Sequence, residues 1–167
     1  MLNLSIRLLL PQDVTEDYVG WFSDNDVIRF SDNQFNKFSI ERQISYVQDC
    51  LENPDISLYG IFYNEIHIGN ITLTGLSSKH KRAEISYVIG NKSYWGKGIA
   101  SYAIKYIVRE AKDQYCLNRI YAGVADKNIG SIKALEKNGF SFEGKQVKHL
   151  FYNESFHDQL NYGLVLD

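Results

Sequence analysis

Residues 82–111 read RAEISYVIGNKSYWGKGIASYAIKYIVREA, and their change of period decides the fold. Up to Ile89 the pattern alternates. Ala83, Ile85, Tyr87 and Ile89 share one face of an extended segment, and Glu84, Ser86 and Val88 share the other. From Ile99 the period becomes helical. Ile99, Ala103, Ile107 and Ala111 form one column, with Ala100, Ile104 and Val108 beside it. Gly96 and Gly98 lie between the two patterns. Glycine lets a backbone pass close to a ligand because no Cβ blocks the approach. A helix starting there leaves its first amide N–H groups unpaired and carries partial positive charge at that end. Strand, glycine turn and helix N-terminus together make a phosphate site.

Working outward, residues 56–63, 66–76 and 82–89 are rich in Ile, Tyr, Val and Thr. Asn64-Glu65 and Ser77 to Lys81 separate them, which predicts three antiparallel strands. Upstream, residues 3–10 predict a strand ended by Pro11, and 13–30 predict one or two short helices. Ser39 offers an N-cap to an amphipathic helix carrying Ile40, Ile44, Val47 and Leu51, which stops near Asn53-Pro54. Downstream come a strand at about 118–125 and a short helix from Asn128 to Asn138 with Ile132 and Leu135 inward. Gly139 suits a left-handed cap, and 140–166 predict a hairpin turning at Asn153-Glu154. The order predicts a single α+β domain over residues 1–167, built on one mixed, mostly antiparallel central sheet of about seven strands.

Composition limits the function. A chain of 167 residues fits one domain and buries about two-thirds of its unfolded surface. Aromatic residues reach 14%, with twelve Tyr, enough to wall a core or a ligand groove. The net charge is −2 and no long basic run occurs, so no nucleic-acid partner is expected. Cys50 and Cys116 have no metal-like spacing, and His67, His80, His149 and His157 are scattered, so no metal is expected. The start lacks a basic region followed by an apolar one, and no apolar stretch reaches membrane-spanning length. The expectation is a cytoplasmic protein with no membrane partner.

The glycine turn has three phosphate-binding readings. A P-loop fails on spacing, because five residues separate Gly90 from Gly96 and Gly98 follows Lys97 where Ser or Thr is needed. A dinucleotide fingerprint lacks its third glycine, since Ser101 holds that position. The third fits. Trp95-Gly96-Lys97-Gly98-Ile99-Ala100 resembles the cofactor loop of the GNAT acetyltransferase superfamily, with Trp in the slot usually held by Gln or Arg. That form looks like the branch containing ribosomal-protein and spermidine acetyltransferases. Asn128 to Phe140 resembles the family's second motif, and Ile6-Arg7-Leu8 and Trp21 to Asp26 look like the same branch.

The resemblance implies a sheet with helices on both faces and acetyl-CoA as co-substrate, without a metal. It places the pyrophosphate on the loop of Trp95, Gly96, Lys97, Gly98, Ile99, Ala100 and Ser101. The backbone of Tyr87, Val88 and Ile89 would pair with the pantetheine arm as an added strand, and Asn128 and Ser131 would complete the cofactor contacts. Lys97 either adds charge to the phosphates or is a solvated loop lysine. Glu84 is the candidate general base; its other readings are a solvated carboxylate or an ion pair with Arg82. The family's frequent Tyr proton donor falls on Leu135. Ser131 is the substitute, against a reading as a helix-terminus hydrogen-bonder, and Tyr87, Tyr94 and Tyr121 are further hydroxyls. His157-Asp158 lie where the acceptor pocket is commonly lined, and Asp24, Asp26, Asp32 and Glu41 lie on the acceptor side.

The implied reaction is acetyl transfer to a primary amine by direct attack in a ternary complex. The acceptor is a protein N-terminus, an amino sugar or another small amine. The alternatives are a degenerate acyl-CoA-binding sensor or scaffold, and a nucleotide-binding regulatory module. The branch also allows a homodimer.

Overall fold

The computed structural model describes residues 3–166. Seven strands form one sheet: β1 (Leu4–Leu8), β2 (Ile56–Tyr63), β3 (Ile66–Thr74), β4 (Arg82–Ile89), β5 (Arg119–Ala125), β6 (Ser141–Tyr152) and β7 (Ser155–Val165). Their order is β1-β2-β3-β4-β5-β7-β6, and every pairing is antiparallel except β4 with β5. The predicted α+β sheet is therefore present. Both two-residue turns fall where the sequence puts them. Asn64 and Glu65 have φ of 47° and 64°, and Asn153 and Glu154 have φ of 51° and 60°. Consecutive positive φ gives the turn whose twist matches a hairpin, and Asn tolerates that region well.

Helices cover both faces. On one lie α1 (Glu16–Trp21), α2 (Asn25–Ile28) and α3 (Ile40–Glu52). Thr15, Asp24 and Ser39 each cap one of them with a side-chain oxygen. Their core joins Tyr18, Trp21, Phe22, Ile28, Val47 and Cys50 to Leu58 and Phe62 of β2. The other face carries α4 (Ile99–Asp113) and α5 (Ile129–Lys137). Ile99, Ala103, Ile104, Ile107 and Ala111 of α4 pack there on Ile71, Leu73, Ala83 and Ile85. Burying each large aliphatic chain contributes about 1.5–3 kcal/mol before entropy is subtracted.

Helix α3 departs from its apolar pattern. Leu51 is 44% exposed, and the buried stripe is Gln43, Val47 and Cys50. Gln43 is tolerated in the interior because its amide is hydrogen-bonded to the Tyr18 hydroxyl at 2.8 Å.

Candidate active site

The parallel pair β4–β5 creates the site. Their register covers only Arg82 to Glu84 against Arg119 to Tyr121. Beyond it β4 runs on to Ile89 and β5 to Ala125 with no pairing between them. The strands part, and β4 is left with a free edge. Gly90 donates its N–H to Ile68 on β3, so Val88 and Ser86 also direct their backbone groups to β3. Tyr87 and Ile89 direct theirs to the gap. The expected three-residue edge is thus narrowed: Val88 contributes to the site through its side chain. The Ile89 carbonyl is already occupied, since the Trp95 indole N–H donates to it at 2.7 Å. That bond gives Trp95 a structural reason to hold its slot, because it fastens the loop to the end of β4.

The glycine turn sits above this edge. Gly96 and Gly98 have φ of 72° and 76°, in the left-handed region that favours glycine. A Cβ on either would meet nothing within 4 Å, so the space over the turn is open. Gly98 is the N-cap of α4, and no side chain caps that helix. Its first amides face an anion site with no competitor from the protein.

A groove of about 1240 Å³ runs from this turn across the sheet to α1–α3. Its lining brings together Tyr87, Val88, Ile89, Trp95, Gly96, Gly98, Ile99, Ala100, Ser101, Asn128 and Ser131. Asn128 accepts from the Ser131 N–H at 3.3 Å and caps α5, which leaves its amide N–H₂ available. Ser101 accepts from Asn138, tying α4 to α5. The Ser131 hydroxyl pairs with the Tyr87 hydroxyl at 2.5 Å. Burial pushes the Tyr87 phenol up to about 12, so it keeps its proton across the neutral range.

Other expected residues lie elsewhere. Lys97 is not in the lining; its ammonium stands 5.4 Å over the Tyr94 ring. Glu84 shares a face with Ser86 but falls outside the groove. Its carboxylate has no hydrogen bond or ion pair among the described residues, Arg82 included, and partial burial raises its pKa above the ordinary value. Leu135 is fully buried in the core. Tyr94 lines the groove and Tyr121 does not. His157 stands against Asp126, Tyr152 and the groove-lining Phe30, and Asp158 pairs with Lys145; neither His157 nor Asp158 lines the groove itself.

The acidic acceptor-side residues are engaged. Lys92 bridges Asp24 at 2.7 Å and Asp26 at 3.0 Å, and the Tyr152 hydroxyl donates to Asp32 at 2.9 Å. Glu41 is at the α3 N-terminus and not in the lining. Sequence reading passed over the cations that do line the groove: Arg29 and Lys37 at the α1–α3 end, Lys127 after β5 where it pairs with Asp126, and Lys133 and Lys137 on α5. Lys133 and Lys137 are one helical turn apart, which is the signal that could have found them. Also unforeseen were Tyr18, Gln43, Asn70, Thr72 and Ser86, polar groups gathered from α1, α3, β3 and β4.

No helix among the described residues is long and apolar enough to cross a membrane, and no group of His, Cys, Asp and Glu there could hold a metal. The open edge, glycine turn and uncapped helix fit a phosphate-bearing substrate with an amide-rich arm.

Known proteins agree with this geometry. The acetyltransferase (GNAT) domain family matches residues 3–141. The uncharacterized N-acetyltransferase YoaA of Bacillus subtilis is 33% identical over 169 residues, covering 98% of this chain and 93% of its own. Two solved structures share the fold at 20% identity each. The spermidine N-acetyltransferase of Vibrio cholerae, in complex with CoA and spermine, has a TM-score of 0.86 and covers 98% of this chain and 96% of its own. RimL, a ribosomal L7/L12 α-N-protein acetyltransferase in complex with CoA, has a TM-score of 0.87 and covers 99% and 95%. The chain belongs to the GNAT family of N-acetyltransferases, which carry the acetyl group of acetyl-CoA to an amine.

Proposed function

We propose that acetyl-CoA lies in the groove with its pyrophosphate on the backbone of 96–101 and its pantetheine arm along Tyr87 and Ile89, and that the amine enters from the α1–α3 side and attacks directly. The observation that carries this is the parting of β4 from β5 directly below the glycine turn. The thioester supplies an activated acyl group; the residues supply position and proton movement. Asn128 reaches the arm with its free amide N–H₂, and Lys133 and Lys137 add positive charge beside the phosphates. Tyr87 and Ser131 form the proton donor for the leaving thiolate, filling the role that Leu135 cannot. Glu84 collects the amine's proton through water from the groove's edge, where its raised basicity suits the task.

The relatives solved with spermine or named for a ribosomal protein bracket the acceptor class: a small or peptide amine. This chain's mouth favours the second kind. Lys92 bridges Asp24 and Asp26 and offsets half of their charge, while Arg29 and Lys37 form no ion pair among the described residues. A polycation meets little attraction there.

Initial-rate kinetics with acetyl-CoA and a panel of amines test the reading. Direct attack gives intersecting double-reciprocal lines; parallel lines signify a covalent enzyme intermediate and would overturn it. Binding of acetyl-CoA without turnover of any amine supports a scaffold instead. In Glu84→Gln, kcat/KM falls about tenfold and loses its acid-side dependence, since only the ionised carboxylate accepts a proton. An unchanged profile removes Glu84 from the mechanism.

A further inference from the structure

A buried polar chain lies under the α1–α3 end of the groove, and the reaction described above makes no use of it. His67 on β3 is enclosed by the rings of Tyr18, Trp21 and Phe62, at centroid distances of 4.9, 4.9 and 5.1 Å. Burial lowers its basicity, so the imidazole is neutral. Its Nε2 lies 3.0 Å from the Gly69 carbonyl and 2.7 Å from Asn70 Oδ1. A carbonyl only accepts, so the proton is on Nε2. That fixes the Asn70 amide with its oxygen towards His67 and its nitrogen towards Tyr18. Gln43 donates to the Tyr18 hydroxyl at 2.8 Å, and the Asn70 amide faces the same oxygen. The hydroxyl's own proton has no acceptor among the described residues, although Tyr18 is 1% exposed.

An unused buried donor is costly, and here it has an outlet. Tyr18, Gln43 and Asn70 all line the groove. Asn70 stands opposite Val88 in the β3–β4 register, so the cluster lies beside the stretch of β4 assigned to the pantetheine arm.

We propose that Tyr18 is a specificity-determining residue: its hydroxyl donates to an oxygen carried on the carbon next to the acceptor's amino carbon. The preferred acceptors are amines with a neighbouring carbonyl or hydroxyl, and His67 is the positioning residue that aims the donor. This rests on the acetyl-transfer reading with the amine entering from α1–α3. A protonated polyamine offers only N–H donors and cannot take this bond. The neighbouring oxygen also suits the weak base at the groove's edge. An α-amino group titrates near 7.7–8.0 and a lysine-like amine near 10.4, so at pH 7 the former has a few hundred times more of the attacking neutral form.

The test compares alaninamide, glucosamine, isopropylamine and spermidine as acceptors, with kcat/KM expressed per neutral amine. Wild-type protein prefers alaninamide or glucosamine over isopropylamine roughly 10–100-fold, the scale of one buried hydrogen bond. Which of the two leads separates a peptide source from a sugar source. Tyr18→Phe brings that ratio to within about threefold by raising acceptor KM, and His67→Phe lowers it part of the way. KM for acetyl-CoA and its thermal stabilisation of the protein stay at wild-type values in both. Equal use of isopropylamine, a preference for spermidine, or an unchanged ratio in Tyr18→Phe overturns the proposal. The wild-type series stands even if the variant fails to fold. Acetyl-CoA binding with transfer to none of the four sinks the acetyl-transfer reading, and this inference falls with it.

Discussion

The groove's two ends are made of different material. At the α4–α5 end the walls are largely backbone: the free edge of β4, two glycines at positive φ, and the uncapped start of α4. At the α1–α3 end they are side chains: Tyr18 from α1, Gln43 from α3, Asn70 and Thr72 from β3, Ser86 from β4. A backbone site tolerates change in most side chains and fails when one φ angle is lost. A side-chain site keeps its fold through substitution and changes its preference instead. One end should therefore hold a common co-substrate, and the other should set what is acetylated.

The sharpest way to break that contrast is Gly98→Asn. Asn accepts the left-handed conformation better than other non-glycine residues, so the turn keeps its path. The new side chain enters space in which no protein atom lies within 4 Å. Folding stability should fall by no more than about 1 kcal/mol, while KM for acetyl-CoA rises on the order of 100-fold, as expected when a charged pyrophosphate loses several backbone donors. Thermal melts and initial rates on one preparation decide it. A large loss of stability with unchanged KM would mean the turn is only a turn.

The next effect belongs to the Tyr87–Ser131 pair, which joins β4 to α5. If the pair delivers a proton to the leaving thiolate, Tyr87→Phe lowers kcat by roughly 100-fold and Ser131→Ala by less, with both KM values near wild type. Together they should cost little more than Tyr87→Phe alone, since they act as one unit. The high phenol pKa, about 12, fixes the sign of the pH response: the donor stays loaded throughout, so it imposes no basic limb on kcat below pH 10. A basic limb that vanishes in Tyr87→Phe would show that the group titrates lower and acts differently.

The same contrast explains what could be read from the sequence. The strand, glycine turn and helix of 82–111 follow from local period and local φ demands, and all came out as expected. So did both Asn-Glu turns, because consecutive positive φ is a property of two residues. Glu84 was harder. Alternation puts it on the face of Ser86, but how far along β4 the groove extends depends on where β5 parts from it, which no local pattern records. By local pattern Gln43 is only a polar residue on an apolar helix and Asn70 only a polar residue within a strand. Their meaning comes from Tyr18 and His67, 25 and 3 residues away in sequence respectively. The acidic residues misled for a related reason: Asp24 and Asp26 are charged in the sequence, and only the fold brings Lys92 to them, across 66 residues in the case of Asp26.

That last contact gives the smallest expected effect and the finest test of the acceptor end. Lys92 is exposed, and its bridges to Asp24 and Asp26 contribute little to stability. Lys92→Met should leave the melting temperature close to wild type. It releases two carboxylates near the mouth, of which Asp26 lines the groove directly. Asp24, held below the usual carboxylate range by the Lys92 hydrogen bond, returns towards it yet stays ionised at pH 7. The mouth then loses its one positive charge, and the two carboxylates left unpaired attract a polycation. Turnover of spermidine at low substrate should rise about two- to fivefold at low ionic strength and fall back near 0.15 M salt, where screening reaches about 8 Å. Alaninamide, which carries one charge and is held through its carbonyl, should change by less than about twofold. If spermidine gains nothing at any salt concentration, the bridging of the carboxylates is not what excludes it, and the burden passes to the Tyr18 donor, which selects by hydrogen bonding and is indifferent to salt.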